Sequence, residues 1–149
     1  MPLDPDVNEL IFRVLFSSIF LGLGGEHLVS DHLIQRLMPT WMPAPRLFSI
    51  LAGVILLTGG TMVLLGWQLR VASWILGAFL IVVTAIVHLP AVVRAPPPMP
   101  EDAEWMWVVL QRSNLVKNLC LLGVCFLLYN HTAGAYSLTA AAAASPGAP

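Results

Sequence analysis

The sequence contains four apolar segments, and each has about the length of helix that crosses a lipid bilayer. They cover approximately residues 10–29, 47–65, 71–89 and 107–129. A helix of about 20 residues is needed to cross roughly 30 Å of hydrocarbon. A spanning segment must satisfy its own backbone hydrogen bonds, and these segments lack the alternating polarity of barrel strands. They therefore predict an all-α integral membrane protein, a four-helix bundle with short loops.

Composition agrees with a protein that lies in lipid. Of the 149 residues, 58% are hydrophobic and 10% are charged, whereas a soluble domain has about 25% charged residues. A soluble core of this size cannot bury so much apolar surface. The net charge of −1 favours neither nucleic acid nor a strongly cationic partner. We expect a multi-pass protein of a bacterial cytoplasmic membrane, with the bilayer as its surroundings and no nucleic-acid partner.

Loops and terminal segments set the organisation of the chain. Prolines interrupt the helices at 38–46 and 93–105, and a tight turn at 66–70 makes the second and third helices antiparallel neighbours. The acidic residues before the first helix are atypical of a signal peptide, so we expect that helix to be retained. The small, low-complexity residues after His131 are expected to be disordered unless a partner holds them. The chain thus divides into an N-terminal segment (1–9), the helix bundle (10–130) and an Ala-, Pro- and Gly-rich tail (131–149).

Polar residues occur at the end of the first and third predicted helices and at the start of the fourth. Because the helices alternate in direction, these three places meet at one membrane face. Ionisable groups at membrane depth are costly and indicate a functional site. The alternative is that the groups pair with one another and fix helix packing, with Glu26 as the counter-ion of Lys117 or Arg112. The candidates for this ligand or quinone site are Glu26, His27, His88, Arg112, Asn114, Lys117 and Asn118.

The fourth helix carries a polar stripe at helical spacing. It is made of Asn114, Lys117, Asn118, Leu121 and Cys125. We expect this stripe to face the bundle interior, because a lysine that faces lipid costs about 3 kcal/mol. Glu9 and Arg13 form an i,i+4 pair near the other face, which is interpreted as structural. Cys120 and Cys125 point apart on one helix, so they are interpreted as small apolar residues rather than a disulfide.

The same residues include the candidates for a cofactor site. Glu26, His27, Asp31 and His32 are weak metal-ligand candidates, because His27 and Asp31 lie one helical turn apart. The HExxH pattern and the Glu-x-x-His pattern of di-iron bundles are both missing, so no metal site is predicted. A bis-histidine haem would need His27 and His88 to face each other, and no second feature supports it. A quinone needs an apolar cleft with hydrogen-bonding groups at the interface, which His27, His88, Lys117 and Asn118 could supply.

Basic residues are unevenly distributed between the two faces. Arg13 and Arg70 belong to the face of the chain termini. Taken literally, the positive-inside rule places both termini outside the cytoplasm. The other face, with the loops at 38–46 and 93–105, carries Arg36, Arg46, Arg94, Arg112 and Lys117.

Several segments resemble the DoxX-like membrane proteins. They are FRVLFSSIFLGLGGEHL in the first helix, the proline-bracketed MPTWMPAP, the glycine-rich LAGVILLTGGTMVLLG and the closing NLVKNLCLLGVCFLLY. The resemblance covers about residues 10 to 130. It departs from the family at IVHLPAVV, where many relatives have a more polar end to the third helix.

The resemblance implies a four-helix membrane protein of redox systems. Members look like membrane subunits of quinone-linked sulfur oxidoreductases, or like partners that anchor soluble redox enzymes. We therefore predict a non-catalytic membrane subunit of a larger redox or energy-transducing complex, with other membrane subunits as partners. The alternative is a quinone-interacting oxidoreductase subunit that uses the polar cluster. A small transporter is disfavoured because no internal repeat is found. Catalytic residues are not predicted.

Overall fold

All regular structure in the described part of the chain is helical. The computed structural model describes residues 3–39 and 41–145, except for the side chains of Asp31, Leu33, Leu37, Glu101 and Asp102. One long helix, Leu69–Val93, is made of three elements that follow one another without a break: α4 (Leu69–Val83), the π-helical segment π1 (Thr84–His88) and α5 (Leu89–Val93). It is called here the α4–α5 helix. The predicted all-α class is confirmed. The elements are α1 (Pro5–Val29), α2 (Asp31–Leu37), α3 (Pro45–Leu65), α4 (Leu69–Val83), a π-helical segment π1 (Thr84–His88), α5 (Leu89–Val93), α6 (Glu101–Tyr129) and α7 (Leu138–Ala144).

Three helices in the described residues are long and apolar enough to cross a membrane: Pro5–Val29, Pro45–Leu65 and Leu69–Val93. They support an integral membrane protein. α6 is longer, with 29 residues or about 43 Å, but it does not join this group. Its polar residues between 111 and 118 lower its apolarity. Its passage through the bilayer, and with it the count of four spans, stays a prediction.

The helices begin earlier than the apolar segments do. α1 begins at Pro5 because the Asp4 side chain accepts the N–H of Asp6 at 2.9 Å and caps the first turn. α3 likewise begins at a proline, Pro45, which suits a first helical turn. Apolar patterning predicts only the part of a helix that lies in hydrocarbon, so it misses these polar or proline-containing first turns.

The closest helix packing runs in chain order. α1 packs on α3, α3 on α4, and α4 on α6. Many large apolar side chains face outwards, among them Leu15, Trp74 and Phe126, which is the surface that lipid requires. The buried core lies between the helices and is formed by Phe16, Phe20, Leu56, Met62, Val63, Leu69, Ala72, Leu76, Leu80, Cys125 and Leu128.

Arg13 holds the turns and the C-terminal segment together at the face of the chain termini. Its side chain is 0% exposed, and it donates hydrogen bonds to Leu64 O at 2.8 Å and to Tyr136 O. Its Nε lies 3.4 Å from Glu9 Oε1. Gly66 makes the α3–α4 turn at φ +62°, and a Cβ there would lie 2.6 Å from Arg13 Nη1. The predicted Glu9–Arg13 pair is therefore the centre of a larger contact.

The segment after α6 is ordered by contacts within the chain. Ala135 N donates to Asp6 Oδ1 at 2.9 Å, and Thr139 Oγ1 donates to Gly66 O at 2.6 Å. The predicted disorder of the tail is therefore wrong for residues 131–145, whereas 146–149 lie outside the described residues. Low complexity hid the few polar anchors, and the alanine run is a good helix former.

We expect Arg13→Met to release the C-terminal segment and to lower the free energy of unfolding by about 3 kcal/mol, because Glu9 loses its buried cation. Thermal unfolding in detergent and limited proteolysis of residues 131–145 measure both effects. Arg70→Met is the matched control, since Arg70 is exposed on the same face, where its guanidinium carbon lies 5.3 Å from the centre of the Tyr129 ring. Equal protection of residues 131–145 in both variants would contradict the role given to Arg13.

Candidate functional site

His27 joins α1 to α3 through Ser49. Ser49 Oγ donates its single proton to the backbone oxygen of His27 at 3.1 Å. Its oxygen therefore accepts from His27 Nδ1, which lies 3.2 Å away. Ser49 is 0% exposed, so both groups are satisfied without water. The geometry places the ring proton on Nδ1 and gives His27 a role in helix packing.

A second polar contact joins π1 to α6. His88 Nδ1 lies 3.0 Å from Gln111 Oε1, and Asn118 Nδ2 donates to Thr84 Oγ1 at 3.1 Å. Gln111 and Asn118 are buried, with 1% and 4% of their surface exposed. We call Thr84, His88, Gln111 and Asn118 the π1–α6 seam. Each of the four side chains has a hydrogen-bond partner within the seam, as expected for buried polar groups.

The wide π-helical turn of π1 carries two of the four seam residues, Thr84 and His88. The backbone N–H of Leu89 donates to Thr84 O, five residues back instead of four. Pro90 follows directly and has no N–H, so the ordinary helical ladder cannot run through it. π-helical turns recur at functional sites because they change the direction of side chains. Here the residues at the two ends of π1, Thr84 and His88, both bond α6.

Lys117 finds its partner on its own helix. Its Nζ donates to Asn114 Oδ1 at 3.0 Å. Glu26 and Arg112 are exposed. Among the described residues, Glu26 forms no ion pair with either cation. The predicted pairing of Glu26 with Lys117 or Arg112 is therefore not found.

The seven predicted site residues are thus distributed over separate places. His27 lies in the α1–α3 interface, and His88 and Asn118 lie in the π1–α6 seam. Asn114 and Lys117 pair along α6. The rings of His27 and His88 bond different helices, because the helices pack in chain order and these two lie on different pairs.

The metal-ligand candidates are also spread out. His32 is exposed, and the side chain of Asp31 lies outside the described residues. No three His, Cys, Asp or Glu side chains within the described part of the chain are grouped closely enough to hold a metal ion. Cys125 is buried and Cys120 exposed, and both are free thiols.

Sequence reasoning missed three members of these contacts, Ser49, Thr84 and Gln111. They are uncharged polar residues within apolar helices, where they are easily taken for packing residues. The sequence pattern could have revealed Gln111, since it lies three residues before Asn114 and seven before Asn118, on the same helical stripe. The partners of Ser49 and Thr84 depend on the packing of other helices, so no local pattern reveals them.

A cavity of about 650 Å³ lies beside π1, at the face of the proline-rich loops. None of the seven predicted site residues lines it. Apolar residues of π1 and α5 form part of its wall, together with Trp107 of α6 and two arginines. We call it the loop-face cavity. It is lined by Arg36, Met38, Pro39, Trp41, Ala85, Ile86, Val87, Pro90, Ala91, Arg94, Ala95, Pro97 and Trp107.

A second, apolar groove of about 380 Å³ opens between α4 and α6. Gly77 and Ala78 lie on its α4 side, and Cys125 and Phe126 on its α6 side. Within the described chain, this groove carries few polar atoms. It therefore provides mainly apolar packing space.

The fold defines a helical membrane protein whose polar side chains tie neighbouring helices together. The model of the DoxX family matches residues 9–89, which is more than half of the chain. The protein therefore belongs to the DoxX family, and the predicted resemblance is confirmed. The match includes α1 from Glu9 onwards, α2, α3 and most of the α4–α5 helix, and it ends before α6. No curated protein and no solved structure matches the chain.

A double-mutant cycle tests whether the polar residues belong to two separate helix interfaces. We expect His88→Leu and Gln111→Leu to be coupled by about 0.6 kcal/mol, and at most about 1.7, because they share an interhelical hydrogen bond. His27→Leu and Gln111→Leu should be additive, since they lie in different interfaces. Thermal unfolding in detergent gives all the differences. A comparable coupling between His27 and Gln111 would show that the residues form one cluster after all.

Proposed function

We propose that the protein is a non-catalytic integral membrane subunit of a larger redox complex in a bacterial cytoplasmic membrane. The proposal rests on one observation: the polar side chains form hydrogen bonds in separate pairs. His27 bonds Ser49, His88 bonds Gln111, and Asn118 bonds Thr84. A catalytic site instead presents several such groups to one reacting atom.

Two further features support a subunit of a redox assembly. The DoxX family, to which the chain belongs, resembles membrane subunits and anchors of redox enzymes. The helices also expose large apolar side chains over much of their length, for example Leu15, Trp74 and Leu127. Such a surface suits other membrane helices as well as lipid, and association with helices then depends on packing.

The second candidate is a quinone-interacting oxidoreductase subunit. π1 favours it, because Ala85, Ile86 and Val87 line the loop-face cavity while His88 ends the same segment. An amide oxygen only accepts, so the His88–Gln111 bond keeps the ring proton on Nδ1. Nε2 of the neutral ring is then free to accept a proton from a quinol hydroxyl. In that case His88 would act as a base beside the cavity.

The first experiment is purification from the native membrane in mild detergent, with mass spectrometry and absorbance of what co-purifies. We expect stoichiometric partner subunits that carry the redox cofactors. The subunit proposal is overturned if the protein comes out alone with a bound quinone or another redox cofactor.

The variant His88→Asn separates the two candidates within the purified complex. Asparagine can still donate to Gln111 but offers no Nε2 base. We expect the complex to assemble and its quinone-linked turnover to change less than about twofold, as for the control His27→Asn in the other interface. A loss of tenfold or more in His88→Asn alone, which corresponds to about 1.4 kcal/mol of activation free energy, would favour the quinone site. Lys117→Met, which removes the cation beside the seam, should be tolerated in the same assay.

A further inference from the structure

The loop-face cavity is lined both by apolar residues and by residue types that are common at a membrane–water interface. Its wall includes small and apolar residues of the α4–α5 helix, among them Ala85, Ile86 and Pro90. Trp41 and Trp107 also line it, and tryptophan is enriched where the hydrocarbon meets the headgroups. The cavity therefore combines a surface for a hydrocarbon chain with a surface for a polar group.

Two arginines give the cavity a positive charge. Arg36 lies in the last turn of α2, and Arg94 follows the end of α5. Both side chains are exposed, and neither forms an ion pair with a described residue. An arginine guanidinium matches the oxygen geometry of a phosphate and binds it through two parallel hydrogen bonds. An anion in the cavity would compensate both charges.

Trp107 adds an unsatisfied donor to the same wall. Its indole Nε1 is buried and has no hydrogen-bond partner within the described chain. A buried donor without an acceptor costs about 1–3 kcal/mol, so a native structure usually provides one. Because Trp107 also lines the cavity, a phosphate or ester oxygen of a bound ligand is the candidate acceptor for this N–H.

The volume distinguishes between possible anions. A cavity of about 650 Å³ lies within the range of roughly 300–1,000 Å³ found for small-molecule sites. An inorganic phosphate would fill little of it and would leave the apolar wall uncovered. A phosphodiester that carries acyl chains fits both surfaces. Basic pockets between membrane helices are also a known mode of lipid headgroup recognition.

We infer that the loop-face cavity binds the headgroup of an anionic phospholipid, with Arg36 and Arg94 on the phosphate and an acyl chain along π1 and α5. This site is independent of the proposed role as a non-catalytic subunit, because it uses none of the seam residues, but it competes with the quinone candidate for the same cavity. Binding there would join α2 and the α4–α5 helix to α6 at the face of the proline-rich loops.

Native mass spectrometry of the full chain in neutral detergent tests the proposal with two lipids that differ only in headgroup. The probes are dioleoyl phosphatidylglycerol, which is anionic, and dioleoyl phosphatidylcholine, which is zwitterionic. We expect phosphatidylglycerol to bind at least tenfold more tightly. The double variant Arg36→Gln/Arg94→Gln should lose that preference, with at least a tenfold weaker affinity for phosphatidylglycerol.

The double variant Arg70→Gln/Arg112→Gln is the matched control. It removes the same charge from two exposed arginines that do not line the cavity. Because this variant loses only general electrostatic attraction, its affinity for phosphatidylglycerol should change less than about twofold. Trp107→Phe keeps the ring but removes the N–H, and we expect about a fivefold loss. The thermal unfolding temperature without lipid should be unchanged in both double arginine variants. If Arg36→Gln/Arg94→Gln does not fold, the two single variants are measured instead.

Three outcomes would overturn the lipid site. Equal binding of the two lipids would remove the role of the phosphate charge, and equal losses in both double variants would remove the role of the cavity. Displacement of phosphatidylglycerol by millimolar inorganic phosphate would show a simple anion site. A quinone that occupies the cavity in the purified protein, with lipid excluded, would also contradict the inference.

Discussion

Within hydrocarbon, a polar side chain has no water to bond, so its partner must come from the protein. This constraint explains most of the contacts that hold the helices in place. Arg13 reaches two backbone oxygens and Glu9, His27 reaches Ser49, and the π1–α6 seam closes on itself. Apart from the Glu9–Arg13 pair within α1, each contact joins elements that are distant in sequence or lie on different helices. The polar residues thus specify which helix faces meet, whereas the apolar residues mainly meet lipid or the core.

The order of helix packing follows from short connections and explains why the polar residues do not converge. α1 contacts α3, and α4 contacts both α3 and α6. A residue near the end of α1 therefore bonds α3, and one near the end of the α4–α5 helix bonds α6. π1 accommodates Pro90 and at the same time brings Thr84 and His88 to α6. Changing this turn would change both the course of the helix and its polar contacts.

The sequence predicted what depends on local composition and missed what depends on packing. The apolar segments predicted the existence of the long helices, since hydrocarbon length and backbone satisfaction leave few alternatives. They also predicted a common membrane face for His27, His88 and Lys117, but shared depth does not determine shared contacts. The order of residues 131–145 was missed because Tyr136 and Thr139 act through Arg13 and Gly66, which lie far away in the sequence. The loop-face cavity arises from three separate segments, so no single motif indicates it.

The difference between paired and unpaired polar groups also separates structural from ligand-binding roles. Ionisable residues in a membrane protein suggest function because they are costly, but a residue whose partner lies within the chain has already met that cost. By this criterion His27 and His88 hold neighbouring helices together in the resting protein. In the sequence alone they resemble residues of a ligand-binding site. Arg36 and Arg94 form no ion pair with a described residue, and the indole N–H of Trp107 has no hydrogen-bond partner among them; all three residues line one cavity. A ligand from outside the chain would find unused hydrogen-bond donors at that place, and the two arginines favour a negative charge on it.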